Sequence, residues 1–196
     1  MIRNPPFKSY AKDVQGLAST EFVVISFALL MIIFFIVELT LLYFLTQSEQ
    51  KAAHMGARLA IVSDSAASGL PNVNGLEAGG VFGTSCSFSP APCTDFGTLT
   101  CVGGVTGCNI DAFNRILDRM QNFMPGLLAE HVTISYAYQG LGYAGGPVIP
   151  AITLTINGVP HQTGIMGVVL AVAQAVDVIP PVSVTLTGED LSNSGS

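Results

Sequence analysis

From Phe22 to Leu45 the chain is apolar on every side, interrupted only by Ser26, Glu38, Thr40 and the amphipathic Tyr43. At a rise of about 1.5 Å per residue these 24 positions form a helix of about 36 Å, long enough to cross a hydrocarbon core of about 30 Å. The apolar centre of a cleaved secretory signal is shorter, about 7–15 residues. A helix buried in a protein core rarely runs apolar on all faces over such a length. The pattern therefore predicts one membrane-crossing helix near the N-terminus.

Beyond it the pattern changes several times. Residues 47–64 are rich in good helix formers (Ala52, Ala53, Ala57, Leu59, Ala60), with Gly56 tolerated at modest cost, so they continue the helix until Ser63-Asp64-Ser65. From Ser65 to Cys108 glycine, serine, threonine and proline dominate, which predicts mainly loop with short strands. Ile110, Phe113, Ile116, Leu117, Met120, Phe123 and Leu127 recur at helical spacing, with Asn109 or Asp111 as cap and an Asp111–Arg115 pair on another face, before Pro125-Gly126 interrupts. Val132–Tyr138, Ile152–Ile156 and Val182–Thr187 alternate as strands, with a turn signal at Asn157-Gly158. Ile165–Ile179 is almost wholly apolar and reads as a buried helix stopped by Pro180-Pro181. Together these make an α+β protein: a long N-terminal transmembrane helix, then a small exported domain with a few antiparallel strands and helices.

Charge sets the orientation and removes one class of partner. Arg3, Lys8 and Lys12 outnumber Asp13 before the apolar run, which keeps the N-terminus cytoplasmic, while Glu49, Lys51 and Arg58 on the other side give a weaker basic signal. Phe34, Phe35, Tyr43 and Phe44 weight the outer half of the helix, with Tyr43 at an interfacial belt. From Ser65 onward Arg115 and Arg119 face eight carboxylates. Such a surface repels phosphate backbones, so no nucleic acid is expected as a partner.

Four cysteines, Cys86, Cys93, Cys101 and Cys108, fall in the loop-rich stretch. In an exported segment they predict two disulfides, for which three connectivities are open; the short-range pairing is the expected one. Zinc ligands come as closer pairs, so no metal is expected. The glycines of Gly140-Leu-Gly142-Tyr-Ala-Gly145 match a dinucleotide fingerprint only as a string. Gly146-Pro147 and Pro150 follow where the fingerprint requires a helix, which makes the stretch a hairpin loop. No nucleophile elbow, zincin, P-loop or paired-carboxylate motif is present, and His54, His131 and His161 are scattered. No enzyme activity and no cofactor are expected.

Glu21 opens the apolar run, where a carboxylate drawn into lipid costs about 2–3 kcal/mol or more and calls for a cation. A carboxylate at a helix start also suits the macrodipole. Its setting is Gly16-Leu17-Ala18-Ser19-Thr20-Glu21-Phe22: a glycine, four residues, a glutamate and an aromatic residue, then the membrane helix. This stretch resembles the processing site of type IV prepilins of the Flp/Tad class, specifically the TadE-like pseudopilins. The resemblance continues in Ile36-Val37-Glu38, like a second glutamate late in the TadE helix, and in Ala52-Ala53-His54-Met55-Gly56-Ala57-Arg58-Leu59-Ala60, like the Gly-Ala-Arg segment that follows it. Two features depart from the family: Val14-Gln15 stands where an arginine pair is common, and the helix has no proline.

The resemblance implies that a prepilin peptidase cuts between Gly16 and Leu17, and that Glu21 and Phe22 form the family's Glu-aromatic pair. The new amine of Leu17, with a reference pKa of about 7.7–8.0, is four residues from Glu21 and lies on its helix face. The two can pair within a chain or between packed helices. Glu38 stands about 100° around the helix from Glu21, near the outer interface, where it either reaches water or contacts a neighbouring subunit.

The resulting division is a cytoplasmic leader (1–16), the transmembrane helix (17–46), its extension (47–64), a Gly/Ser-rich loop with disulfides (65–108), the exported α+β domain (109–188) and a polar tail (189–196). The resemblance implies a minor pseudopilin of the bacterial inner membrane with its C-terminal domain in the periplasm. Its partners would be the peptidase, other pilins or pseudopilins, Tad platform proteins and the lipid bilayer. Two other classes compete: a single-pass envelope protein whose exported domain binds a ligand or cell-surface component, and an anchored periplasmic enzyme.

Overall fold

The structure is a computed structural model describing residues 14–70, 80–88, 92–146, 148–160 and 179–188. The apolar stretch 165–178, the polar tail and the residues before Val14 lie outside these ranges, so the expected helix over 165–179 is not described beyond Ile179.

A single helix, α1, runs unbroken through Val14–Ala60, about 70 Å by its rise. Its Ser19–Ala60 portion is long and apolar enough to cross a membrane, and the most apolar window has no residue buried by the rest of the chain. Hydroxyls in its upper half bond back to their own helix: Thr40 to the Ile36 carbonyl at 2.8 Å, Thr46 to that of Leu42 at 3.1 Å and Ser48 to that of Phe44 at 3.0 Å. Polar groups satisfied within the segment are what a lipid environment demands.

Above Leu45 the helix changes role. Glu49, Ala52, Ala53, Gly56, Ala57 and Ala60 are buried at i, i+3, i+4, i+7, i+8 and i+11, the stripe of a helix packed on one side. Apart from Glu49 the stripe is made of small residues, which lets neighbouring elements approach closely. At Gly56 an added Cβ would stand 2.6 Å from Met120 Sδ and 2.9 Å from Leu154 Cδ1. The glycine that looked merely tolerated in the sequence is there because two elements converge on it. Gly56→Val should destabilise the α+β domain by roughly 2 kcal/mol or more, since overpacking outweighs the small gain in helix propensity. Thermal unfolding of the two proteins in detergent checks this; an unchanged midpoint would refute the close packing.

Strand β1 (Thr98–Val102), helix α2 (Ile110–Gln121) and strands β2 (Val132–Gly142), β3 (Val148–Ile156) and β4 (Val182–Thr187) complete the fold. The sheet is an antiparallel meander in the order β1-β2-β3-β4. Alternation sends Val132, Ile134, Tyr136, Ile152, Leu154, Ile156 and Val184 into the core, while Thr153 and Thr185 pair hydroxyls at 2.9 Å among the polar side chains of the opposite face. Asn109 caps α2, its side chain accepting from the Ala112 amide. The helix then runs antiparallel to α1: Arg115 meets Asp64, Met120 meets Gly56, and Phe123 meets Lys51. The outcome is the α+β architecture expected from the sequence.

Details of pairing and strand length differ from the sequence reading: β3 starts at Val148, four residues before the expected Ile152. Arg115 forms its ion pair with Asp64 at 2.7 Å, where helical spacing pointed to Asp111; the turn after α1 brings a carboxylate to it from another element. β2 does not stop at Tyr138 but continues to Gly142 through an irregularity between Ala137 and Leu141. Gly140 and Gly142, with φ of +67° and +98°, supply backbone shapes that side chains disfavour. The first two glycines of the G-x-G-x-x-G string are thus strand residues, and the hairpin itself lies just beyond them. Within the stretch 65–108, where short strands are expected at no stated place, Thr98–Val102 forms β1 on the short alternation Thr-Leu-Thr-Cys-Val, which places Cys101 in the core.

Disulfides join Cys86 to Cys93 and Cys101 to Cys108. The second ties β1 to the entrance of α2, beside the point where the Ala66 amide donates to the Tyr136 hydroxyl at 3.0 Å. The first closes a small separate cluster with Ala144 and Tyr138 around the β2–β3 hairpin.

Candidate functional site in the anchoring helix

The residues singled out in the sequence lie along α1 and are not gathered into a pocket. Gly16 and Leu17 sit in its first turns, so the backbone at the expected scissile bond is helical here and not extended. The reason is continuity: the run of helix formers that follows propagates back through Gly16. A glycine in the first turn weakens that end by about 1 kcal/mol, which leaves it the easiest part of α1 to open. Glu21 is exposed and shares a shallow open hollow with Thr20, Val24 and Ile25. Phe22 beside it is 72% exposed. Glu38 is half-buried, 17 residues further along, hence about 25 Å from Glu21 along the axis and about 100° around it. The two glutamates do not meet within one chain.

A third glutamate was passed over in the sequence as a flanking charge. Glu49 is fully buried, and neither carboxylate oxygen has a hydrogen-bond partner. Burial alone pushes its pKa up from 4.5 to about 7. It lies 11 residues beyond Glu38, only about 20° around the helix. The two acids therefore share one face, which begins half-buried at Glu38, Leu42 and Leu45 and becomes the core stripe at Glu49. The signal that would have found it is the period: Glu49 occupies the first position of the Ala52-Ala53-Gly56-Ala57-Ala60 stripe.

Residues 16–58 match the family model described as TadE-like protein. The chain carries a TadE-like segment. It begins on Gly16, contains Glu21, Phe22, Glu38 and Glu49, and ends two residues short of the end of α1. The match thus covers the long helix and stops before the sheet and α2. No curated protein and no solved structure matches the chain. The matched segment is similar to TadE-like proteins, and it lies on one exposed helix long and apolar enough to cross a membrane. Among the described residues no group of three or more His, Cys, Asp or Glu is placed to hold a metal ion.

Proposed function

We propose that this chain is a minor pseudopilin, cut between Gly16 and Leu17 by a prepilin peptidase and used as a structural part of Tad-type pilus assembly. The observation that carries this reading is the position of the TadE-like match, which starts at Gly16 and spans the exposed membrane helix. The basic residues before the helix favour a cytoplasmic N-terminus, with the disulfide-bonded domain in the periplasm. In a bundle of pilin helices the exposed apolar surface of α1 would face its neighbours and the inner-membrane platform. Glu21 would there find an α-amine freed by cleavage, its own or a neighbour's, and Glu38 would lie at a contact between subunits.

Sequencing the N-terminus of protein purified from its host, with the peptidase intact and deleted, tests this. Leu17 is expected as the first residue with the peptidase present and Met1 without it. A chain that begins at Met1 in both would sink the processing claim.

A further inference from the structure

Seven lysines and arginines occur in the sequence, and four of them, Lys51, Arg58, Arg115 and Arg119, follow the membrane helix. All four are on α1 and α2; the sheet has none. Arg115 is neutralised by Asp64. Lys51 and Arg119 are arranged differently. Lys51 Nζ stands 5.1 Å from the centre of the Phe123 ring, and the Arg119 guanidinium stands 5.9 Å from the same centre. Two exposed cations are thus gathered on one aromatic ring, and among the described residues no carboxylate forms an ion pair with either. Like charges held this close repel unless an anion joins them.

Their height along the molecule identifies that anion. The apolar run of α1 ends at Leu45, so Lys51 stands about 9 Å further along the axis, at the outer edge of a headgroup layer about 5–8 Å deep. Side chains on a helix lean toward its N-terminus, so Lys51 leans back toward the bilayer. Because α2 is antiparallel to α1, its C-terminal end approaches the same level, and Phe123, one turn beyond Arg119, brings both cations to one ring. The turn after α2 adds Leu128, an apolar side chain 54% exposed, tied to the helix end through the Gln121 side chain, which donates to the Leu127 carbonyl at 2.9 Å. Paired cations, an aromatic ring and an exposed leucine at that depth are the composition of a membrane-interface contact.

We propose that Lys51 and Arg119, gathered on Phe123, bind the phosphates of phospholipid headgroups in the leaflet that α1 leaves, and so dock the base of the exported domain onto the bilayer. The inference rests on α1 crossing the membrane. It makes an otherwise acidic domain adhere to an anionic surface by these two cations. Near such a surface each cation contributes roughly fivefold to the docked over the undocked population.

The chain has no tryptophan, so Leu128→Trp supplies a single emitter in the full-length protein. It would be reconstituted in vesicles of phosphatidylcholine, alone or mixed with phosphatidylglycerol, carrying brominated acyl chains. Stronger quenching and a blue shift are expected in the anionic vesicles, falling with added salt and falling severalfold when Lys51→Gln and Arg119→Gln are combined. Both residues are exposed, so the double variant should keep its melting curve. Quenching that is the same in both vesicles and indifferent to the two substitutions would overturn the docking. Extraction with alkaline carbonate separates the two levels: release of the chain would overturn the membrane helix itself, whereas retention with charge-independent quenching would overturn docking alone.

Discussion

Glu49→Gln should make the α+β domain more stable at neutral pH and remove most of its dependence on pH between about 4.5 and 7. In the folded protein burial holds the Glu49 proton until pH about 7, whereas an unfolded chain releases it near 4.5. Below 4.5 both states are protonated and the acid is neutral in each. As pH rises from there the unfolded state loses its proton first and is favoured, so stability declines through the window and levels off above 7. The interval corresponds to a loss of at most about 3 kcal/mol, lessened by solvent relaxation around the carboxylate. Glutamine carries no charge to desolvate, and its curve should be flat. Glu49→Leu should gain further, because it also removes the two unpartnered oxygens. Chemical unfolding in detergent at intervals between pH 4 and 8 measures this directly. Parallel wild-type and Glu49→Gln curves would show that the carboxylate reaches water or a cation in the folded protein.

That prediction rests on a residue the sequence presents only as a flanking charge. A carboxylate two residues from a lysine is ordinarily solvated, and local spacing cannot say which face of a long helix a later domain will cover. Once the domain is in place, Glu49 proves to lead the same stripe as Ala52, Gly56 and Ala60. Elsewhere the local signals were sufficient. The membrane helix is read from its unbroken apolar run, and α2 and strands β2, β3 and β4 from their period, because each of these buries one regular face. β1 was hidden by its brevity and by the glycines and cysteines around it; its pairing with β2 comes from a sheet assembled across distant segments. The Arg115–Asp64 pair was likewise beyond local reading, since helical spacing sees Asp111 and only the fold brings in Asp64. The Gly16 to Phe22 motif is legible as a string, yet the helix that covers its glycine is not.

Glu21→Ala should leave cleavage after Gly16 intact and reduce surface pili at least about tenfold. In the proposed processing the peptidase would act on the bond four residues before Glu21, and the substitution improves helix propensity without touching Gly16 or Leu17, so the mature chain should accumulate normally. In the proposed role, assembly is where the charge would act. A carboxylate entering the lipid-facing part of a helix bundle costs about 2–3 kcal/mol unless a cation meets it, and the amine freed on Leu17 lies on its face at i−4. With the acid removed, that amine enters the bundle alone, and a loss of about 1.4 kcal/mol per contact already means a tenfold loss of correctly joined subunits. Glu21→Gln should fall between the two, because an amide accepts a hydrogen bond from the amine but does not neutralise it. Mature protein in the membrane fraction and pili sheared from the cell surface, measured for all three chains, separate processing from assembly. Wild-type pilus yield from Glu21→Ala would rule out the pairing and leave Glu21 as a helix-start residue favoured by the macrodipole.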